Sequence, residues 1–331
     1  MKVLAGDIGG TKTLLAVVEI SEGGDQRVSV LHRSRYESQK HSSLDSICRA
    51  FAGELGAPLP RAAGFGVAGP VVDGRCKATN LPWVIDAAEL AAALKFDSVG
   101  LVNDFHALTL GIAALRPDQL APLNRAWRDP KGPIAVIGAG TGLGEAIAIP
   151  MPGGRWHVLP TEGGHTDYAP RDELEIELLR FLQTRYQRVS WERVLSGEGL
   201  ASLCECLAGL TALAPPAAVA EALRSDRGSA PALITAAALE GQDPLCSQAV
   251  ERFCGLYGSE AGNLALKTLA TGGIYLGGGI APKIRGALES GAFRAAFLDK
   301  GRMRPLLERM PVDIVLTDDT GLFGAAMLAV P

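Results

Sequence analysis

The chain has 331 residues, 47% of them hydrophobic and 21% charged, a composition that excludes disordered and fibrous proteins. Its formal net charge of -4 argues against a nucleic-acid partner, because binding to phosphate backbones requires clustered positive charge. No apolar run reaches the roughly 18 residues that span a bilayer, so we expect no membrane partner. Asp7 interrupts the apolar N-terminus, which is therefore unlike a signal peptide, and we predict a cytoplasmic protein of two domains.

The first third of the chain predicts strands that alternate with helices. Short runs rich in apolar and β-branched residues indicate the strands, and Gly9, Gly10 and Thr11 join the first two. The predicted strands cover residues 2–8, 12–20, 27–36, 62–68 and 98–103, and the predicted helices cover 43–55, 86–95 and 104–115. Residues 69–83 are rich in turn formers, and the proline-rich segment 116–132 resembles a linker.

The opening pattern recurs after this linker, with a strand at 133–138, a glycine turn from Ala139 to Gly144 and a new strand at 145–149. Two such units indicate an internally duplicated fold. The remaining predicted elements are helices at 171–185, 197–208, 216–224, 229–239 and 243–269, a strand at 272–277, a helix whose first turn carries Pro282, a strand at 311–316 and a helix at 320–329.

The last predicted strand and helix could pack against the first domain. That packing would make the first domain discontinuous in sequence. We therefore predict a small α/β domain of residues 1–115 plus 308–331 and a large, helix-rich α/β domain of residues 116–307.

Two glycine-rich loops follow predicted strands. The loop GDIGGTKT at 6–13 is not a P-loop, because Thr11 rather than glycine precedes Lys12 and a strand follows. The loop GAGTGLG at 138–144 lacks the spacing of a dinucleotide-binding loop and also leads into a strand. Either loop alone could be a structural turn, whereas both together favour binding of nucleotide phosphates through backbone N–H groups. Asp7 ends an apolar strand, where Mg²⁺ held through water would satisfy its carboxylate.

Six cysteines in so long a chain do not predict a disulfide framework. Cys204 and Cys206 point to different faces of a predicted helix, so we expect them to be small buried side chains. In a reducing cytoplasm all six would remain free thiols.

Seven sequence blocks, in order along the whole chain, resemble the bacterial-type glucokinases of the actin, sugar kinase and heat-shock ATPase superfamily. These blocks are GDIGGTKT at 6–13, LVNDFHAL at 101–108, GAGTGLG at 138–144, PTEGGHTDYAP at 160–170, SWERVLSGEGL at 190–200, GGIYLGGGIAPK at 272–283 and GAFRAAFLDKGR at 291–302. The resemblance implies two α/β domains, each ribonuclease-H-like as in actin and hexokinase, with an active-site cleft between them.

The resemblance also implies roles for individual residues. In the family, the aspartate that matches Asp104 is the catalytic base and contacts the sugar, and the residue that matches Asn103 holds sugar hydroxyls. The residues that match Glu162, His165 and Glu192 bind the sugar. The implied nucleotide-binding residues are Gly6, Asp7, Ile8, Gly9, Gly10 and Thr11 in the first loop, Gly138, Gly140, Thr141 and Gly142 in the second, and Gly278 and Gly279. The implied cofactors are ATP and Mg²⁺, with Asp7 holding the metal through water.

Each of these residues also has a simpler interpretation. Asn103 and Asp104 could form a helix N-cap after a strand, a role that is compatible with catalysis. Glu162 and His165 could lie in a solvated polar loop. Glu192, on a helix-like stretch, could be a surface charge.

Two further features bear on the sugar site. The related ROK family of repressors and kinases carries a cysteine-rich zinc motif shortly after the histidine that matches His165, and residues 166–191 contain no cysteine. This departure argues against structural zinc and for the glucokinase branch. Asn80, in the turn TNLPW, could line the sugar pocket, although a turn asparagine before Pro82 needs no function.

The resemblance implies ATP-dependent phosphorylation of glucose at its 6-hydroxyl, giving glucose 6-phosphate, and a homodimer. Within enzymes, the alternative is a kinase that prefers fructose, mannose or an amino sugar. A sugar-sensing ROK-like regulator would carry a helix-turn-helix segment before the first glycine loop, whereas this chain begins its strand at Lys2. A non-catalytic sugar sensor would be expected to lack the base or a phosphate loop, and both are present.

Overall fold

The computed structural model describes residues 1–21, 28–153, 155–241 and 243–329. The chain forms two compact units. The first consists of Met1–Gln119, Met151–Pro160 and Thr317–Pro331, and the second consists of Leu120–Pro150 and Thr161–Leu316. The domain boundaries after residue 115 and before residue 308 stay predictions.

The described residues form strands and helices in a mixed α/β arrangement, the predicted fold class. The strands are β1 (Lys2–Ile8), β2 (Lys12–Ile20), β3 (Val28–Glu37), β4 (Ala62–Val67), β5 (Val71–Val72), β6 (Arg75–Lys77), β7 (Val84–Asp86), β8 (Ser98–Asn103), β9 (Leu120–Pro122), β10 (Ile134–Ala139), β11 (Leu143–Pro150), β12 (Trp156–Thr161), β13 (Gly273–Gly277) and β14 (Val312–Val315). The helices are α1 (Leu44–Leu55), α2 (Ala87–Leu94), α3 (Asp104–Gly111), α4 (Glu173–Gln183), α5 (Trp191–Val194), α6 (Gly197–Leu210), α7 (Ala217–Ser225), α8 (Ala230–Leu239), α9 (Pro244–Thr268), α10 (Arg285–Glu289), α11 (Ala292–Leu298), α12 (Arg304–Leu307) and α13 (Thr320–Leu328).

Most predicted elements are confirmed to within a few residues; the elements that were not predicted are short strands and the short helices α5, α11 and α12. The turn-rich segment 69–83 holds β5 and β6, and the supposed linker 116–132 holds β9. The strand β12 was not predicted, and β11 already begins at Leu143 inside the predicted glycine turn. Strands of two or three residues are too short to show alternation, which explains the missed β5, β6 and β9. The first residue of the predicted strand 27–36 lies outside the described residues.

The prediction of a helix with Pro282 in its first turn is wrong. The chain forms successive turns over residues 278–284, and α10 begins only at Arg285. These turns hydrogen-bond to the neighbouring strand, since the Ile280 N–H donates to the Ala139 carbonyl at 3.3 Å. Pro282 therefore lies in a turn, where its fixed φ is equally well accommodated.

The first unit is built on a sheet with strand order β3-β2-β1-β4-β8. The central strand β1 is apolar on both faces, and Val3, Leu4 and Ala5 are fully buried. The last helix, α13, packs against this sheet so closely that a Cβ at Gly64 would lie 1.8 Å from the Ala325 carbonyl oxygen. The C-terminal helix is thus part of the first unit.

The second unit repeats the opening arrangement of the first. In both, a strand pairs antiparallel with the next strand and parallel with a later one: β1 with β2 and β4, and β10 with β11 and β13. This repetition agrees with the predicted internal duplication. Five neighbouring strands of the second unit's sheet have the order β11-β10-β13-β14-β9, so β14, which lies beyond the predicted boundary at 308, pairs with β13 and β9.

The long helix α9 is the centre of the second unit's hydrophobic core, where Phe253 and Tyr257 are fully buried. All six cysteines are buried free thiols, which confirms the prediction for Cys204 and Cys206. Among the described residues, no helix combines the length and the apolar character that a membrane crossing requires.

Candidate active site

Two aspartates of the first unit, Asp7 and Asp104, lie at one edge of its sheet. The parallel strands β1, β4 and β8 end at this edge, where Asp7 is opposite Gly66 and Val67 is opposite Asn103. Asp104 follows directly as the first residue of α3. Because carboxyl ends of parallel strands share an edge, residues far apart in sequence come together there.

Asn103 is the N-cap of α3, as its simpler interpretation predicts. Its Oδ1 accepts hydrogen bonds from the N–H groups of Phe105 at 2.9 Å and His106 at 3.4 Å. Its Nδ2 donates to the Gly69 carbonyl at 3.2 Å. The cap fixes the direction in which the helix leaves the sheet, and with it the position of Asp104.

The Asp104 carboxylate is largely buried and has backbone support. Its Oδ1 accepts a hydrogen bond from the Phe105 N–H at 2.8 Å. Burial raises the pKa of Asp104, and the hydrogen bonds from Phe105 and Asn103 lower it by less. The outcome is a carboxylate more basic than an ordinary aspartate.

Asp7 is the more strongly perturbed acid of the two. Burial, followed by repulsion from Asp104, raises the pKa of Asp7 to about 6, with a smaller opposing effect from Lys12. Its carboxylate faces the start of α13, where a Cβ at Gly321 would lie 3.7 Å from Asp7 Cγ. Two acids that repel each other in a buried place fit a divalent cation, whose charge would remove that repulsion. The described residues contain no group of three or more metal-ligating side chains, so other ligands would have to come from substrate and water.

Hydrogen bonds and close contacts hold the first glycine loop, and one of them comes from Ser38. The Gly9 N–H donates to the Lys12 carbonyl at 2.9 Å, and the Ser38 hydroxyl donates to the Gly9 carbonyl at 2.7 Å. Gly10 lies against the turn that contains Asn80, because a Cβ at Gly10 would be 3.0 Å from the Asn80 Cβ. The loop is therefore held at Gly9 and Gly10, while the side chain of Thr11 is exposed.

In the second unit, the second glycine loop and the turn at residues 277–279 are neighbours. A Cβ at Gly278, whose φ is +77°, would lie 2.7 Å from the Ala139 carbonyl oxygen, so a side chain is excluded there. The buried Tyr257 hydroxyl accepts a hydrogen bond from the Ala139 N–H at 3.2 Å. It lies 3.2 Å from the carbonyl oxygen of Ile137 and 3.4 Å from that of Gly277, either of which can accept its proton. One phenol thus links the strands that lead into both segments.

Glu192 contacts the second glycine loop and is not the free surface charge of its simpler interpretation. Its Oε2 accepts a hydrogen bond from the Leu143 N–H at 3.0 Å. A Cβ at Gly142 would lie 2.5 Å from the same oxygen, so the loop approaches the carboxylate directly. The other oxygen, Oε1, is 4.0 Å from His165 Nδ1.

Glu162 and His165 lie on a 3₁₀ turn beside Glu192. The Nε2 of His165 is 3.8 Å from Glu162 Oε2, and the side chain of Glu162 is 87% exposed against 26% for Glu192. The two glycines between them press on β11: a Cβ at Gly163 would lie 2.0 Å from Glu145 Oε2, and one at Gly164 would lie 2.2 Å from the Leu143 carbonyl. The structure thus brings three predicted sugar-site residues together in the second unit.

Glu145 is a residue that sequence reasoning missed. It is buried in β11 directly under Gly163, and burial with repulsion from Glu260 raises its pKa. In the sequence, the run EAIAI shows only a strand that starts with a charged residue. The available signal was alternation, which puts Glu145, Ile147 and Ile149 on the same face of the strand.

Comparison with known proteins gives a consistent result. A family model described as Glucokinase matches residues 4–331. The chain is 44% identical over 344 residues to the glucokinase of Synechocystis sp., and the match covers 98% of this chain and 97% of that protein. A crystal structure of glucokinase from an Antarctic psychrotroph superposes with a TM-score of 0.86 at 30% identity, covering 99% of this chain and 98% of that one. A ROK family glucokinase from Streptomyces griseus, solved with glucose and AMPPNP, has a TM-score of 0.67 at 25% identity, with 99% of each chain covered. This chain therefore belongs to the glucokinase family.

Proposed function

We propose that this chain transfers the γ-phosphoryl group of ATP to the 6-hydroxyl of glucose, with Asp104 as the general base. ATP-dependent phosphorylation of glucose is the activity of the family to which the chain belongs. The observation that carries the finer proposal is the half-buried carboxylate of Asp104, held by the Phe105 N–H at the sheet edge that also carries Asp7.

Asp104 suits a proton acceptor for chemical reasons. Phosphoryl transfer needs little covalent chemistry from the protein, so most of the catalysis comes from positioning, neutralisation of charge and removal of the hydroxyl proton. A base works best when its pKa approaches the operating pH, and burial raises the pKa of Asp104 in that direction. In the proposed step, the oxygen of the sugar 6-hydroxyl attacks the γ-phosphorus, Asp104 accepts the proton of that hydroxyl, and ADP leaves.

We assign the glycine segments to the phosphates and adenosine of ATP. Backbone N–H groups that no Cβ shields can approach phosphate oxygens closely. The proposed contacts are Gly6, Asp7, Ile8, Gly9, Gly10 and Thr11, then Gly138, Gly140, Thr141 and Gly142, and finally Gly278 and Gly279. Asp7 would hold Mg²⁺ through water, and the bound ion would supply positive charge against the phosphates.

We assign the sugar to Asn103, Glu162, His165 and Glu192, together with Asp104. Sugar hydroxyls are recognised by groups that accept and donate hydrogen bonds in fixed directions. The cap interaction holds the Asn103 amide, and the Leu143 N–H holds Glu192, so both side chains are oriented before the sugar binds. The Streptomyces griseus glucokinase was solved in complex with glucose, so a glucose site is expected in this chain as well.

A coupled assay of ADP release across a panel of hexoses tests the proposal. We expect the highest kcat/KM with glucose, activity with ATP rather than ADP or polyphosphate as donor, and loss of activity when EDTA removes divalent cations. A higher kcat/KM with fructose, mannose or an amino sugar would contradict glucose as the preferred substrate and favour the alternative hexose kinase. The absence of activity with every sugar and donor would overturn the proposed activity and favour a sugar sensor.

We also propose that the chain acts in the cytoplasm, in glycolysis, as a homodimer. The second unit leaves large apolar side chains exposed on its helical part, where Leu210 and Leu239 are 50% and Leu269 is 54% exposed. A homodimer interface on this part of the unit would remove such side chains from water. Light scattering on the purified protein measures the mass in solution, and a monomer at all concentrations would contradict the dimer.

A further inference from the structure

A buried carboxyl pair lies beneath the turn that carries Glu162 and His165. Glu145 is 3% exposed and Glu260, on α9, is fully buried. After burial, repulsion from Glu260 is the next largest cause of the raised pKa of Glu145. Two neighbouring carboxyl groups escape such repulsion when one of them is protonated and can donate a hydrogen bond to the other.

Glu145 supports the turn through both its backbone and its side chain. Its carbonyl accepts a hydrogen bond from the Thr161 hydroxyl at 2.9 Å, and that hydroxyl accepts one from the Gly163 N–H at 3.1 Å. Its Oε2 occupies the space next to Gly163, where a Cβ would lie only 2.0 Å away. Its other oxygen, Oε1, is buried without a conventional donor among the described residues.

The charged groups around the pair do not cancel two negative charges. On α9, the Lys267 ammonium is 3.5 Å from Glu260 Oε1, and its side chain is half exposed. Asn263 Nδ2 donates to Glu260 Oε2 at 2.8 Å and links Glu260 to Lys300, whose Nζ donates to Asn263 Oδ1 at 2.7 Å. Another titratable group that faces the pair is the fully buried Tyr257 on α9, whose pKa is raised by burial and in part by Glu145. Glu162 and His165 lie on the turn that contacts Glu145 through Gly163.

We propose that Glu145, in its protonated form, is a positioning residue for the Thr161–His165 turn, and that ionisation of the Glu145–Glu260 pair weakens glucose binding. When both carboxyls are charged they repel each other at low dielectric, so one must move away. Glu260 is held by Asn263 and Lys267, whereas Glu145 Oε2 lies directly against Gly163, so a displacement of Glu145 would disturb the turn. The turn then carries the side chains of Glu162 and His165 away from their binding positions. This inference rests on the proposed sugar-binding role of Glu162 and His165.

The direction of the pH effect follows from the raised pKa of Glu145. Burial first, and repulsion from Glu260 second, raise the pKa of Glu145 to about 8, and burial also raises that of Glu260. The positioning form therefore exists at neutral pH and is lost as the pH rises through about 8. Glucose should bind with uptake of a proton above that pH, because binding favours the protonated pair.

Calorimetric titration of glucose without nucleotide tests the inference across this pH range. For the unmodified protein, we expect the Kd for glucose to rise about fivefold or more from neutral to alkaline pH, with proton uptake on binding seen as a dependence on buffer ionisation enthalpy. Glu145→Gln retains a donor for Glu260 at every pH, so its Kd should stay near the neutral-pH value and its proton uptake should fall. Glu251→Gln removes an exposed charge from the same helix and should retain the full pH dependence.

The outcomes separate this inference from the proposed function. If Glu162→Gln weakens glucose binding but Glu145→Gln shows the same pH profile as the unmodified protein, the positioning role is wrong and the sugar site stands. If Glu162→Gln leaves glucose binding unchanged, the sugar site itself is wrong. Should Glu145→Gln fold poorly, as judged by circular dichroism, Glu260→Gln provides the second variant, because it also removes the repulsion between the two carboxyls. Retention of the alkaline rise in Kd by a folded Glu260→Gln protein would overturn the proposal.

Discussion

The acids of the two units are held in different ways. In the first unit, Asp7 and Asp104 are half-buried, and repulsion from Asp104 adds to burial in raising the pKa of Asp7. In the second unit, the exposed Glu162 and the half-buried Glu192 lie beside His165, and Glu192 is tied to the Leu143 N–H. Buried acids with few partners suit proton transfer and metal binding, whereas accessible acids with fixed directions suit recognition. The difference predicts that substitutions in the first unit change mainly kcat and those in the second mainly KM.

The largest expected effect is on turnover. Asp104→Asn keeps the shape of the side chain and its hydrogen bond from Phe105 but removes the proton acceptor. We expect normal folding and glucose binding with a kcat that falls by about 10²-fold or more. Steady-state kinetics with a calorimetric measurement of glucose binding checks both parts, and near-normal turnover would contradict the role of Asp104.

The next effect concerns stability. The pKa of Asp7 is about 6 in the folded chain against 3.8 ordinarily, so between these values the folded chain holds a proton that the unfolded chain has lost. The stabilisation by this proton is complete below about pH 4 and is lost as the pH rises through about 6. Asp7→Asn, which cannot ionise, should therefore be more stable at neutral pH by about 2 to 3 kcal/mol while losing activity.

Chemical denaturation from about pH 4 to pH 7 measures this effect. The matched control is Asp73→Asn, an exposed aspartate at a positive-φ turn that asparagine also tolerates. Equal stability of Asp7→Asn and the unmodified protein at neutral pH would show that the Asp7 carboxylate is not destabilising in the fold.

The smallest effect is expected in the second unit. Glu192→Gln keeps an oxygen for the Leu143 N–H but removes the charge that strengthens hydrogen bonds to sugar hydroxyls. We expect the KM for glucose to rise about tenfold with a smaller change in kcat. Glu173→Gln, an exposed substitution in the first turn of α4, is the control for a change of charge in the same unit. A fall in kcat for Glu192→Gln without a rise in KM would contradict the prediction that substitutions in the second unit change mainly KM.

Sequence patterns predicted the elements that carry the sites, because long apolar runs and glycine turns are local features. The strand 2–8, the strand 98–103 and the helix that begins at Asp104 all agree with the structure. The N-cap role of Asn103 was also readable, since a strand followed by N-D before a helix is a common cap.

What the sequence could not provide is the set of contacts between distant segments. The hydrogen bond from Leu143 to Glu192 joins residues that are 49 positions apart, and no local pattern marks it. The burial of Glu145 depends on α9 and on the Gly163 turn, neither of which is near it in sequence. Short strands such as β9 were missed because their pairing with β14 defines them more than their own residues do.

The hydroxyl of Tyr257 has a thermodynamic consequence for ligand binding. By accepting from the Ala139 N–H and donating to the carbonyl of either Ile137 or Gly277, it restrains two glycine-rich segments that would otherwise have considerable conformational entropy. The free-energy cost of ordering these segments is therefore met when the chain folds, and a nucleotide bound there as proposed would encounter them already arranged. The glycines allow a ligand to approach the backbone closely, and the Tyr257 hydroxyl restrains the backbone that the glycines leave flexible.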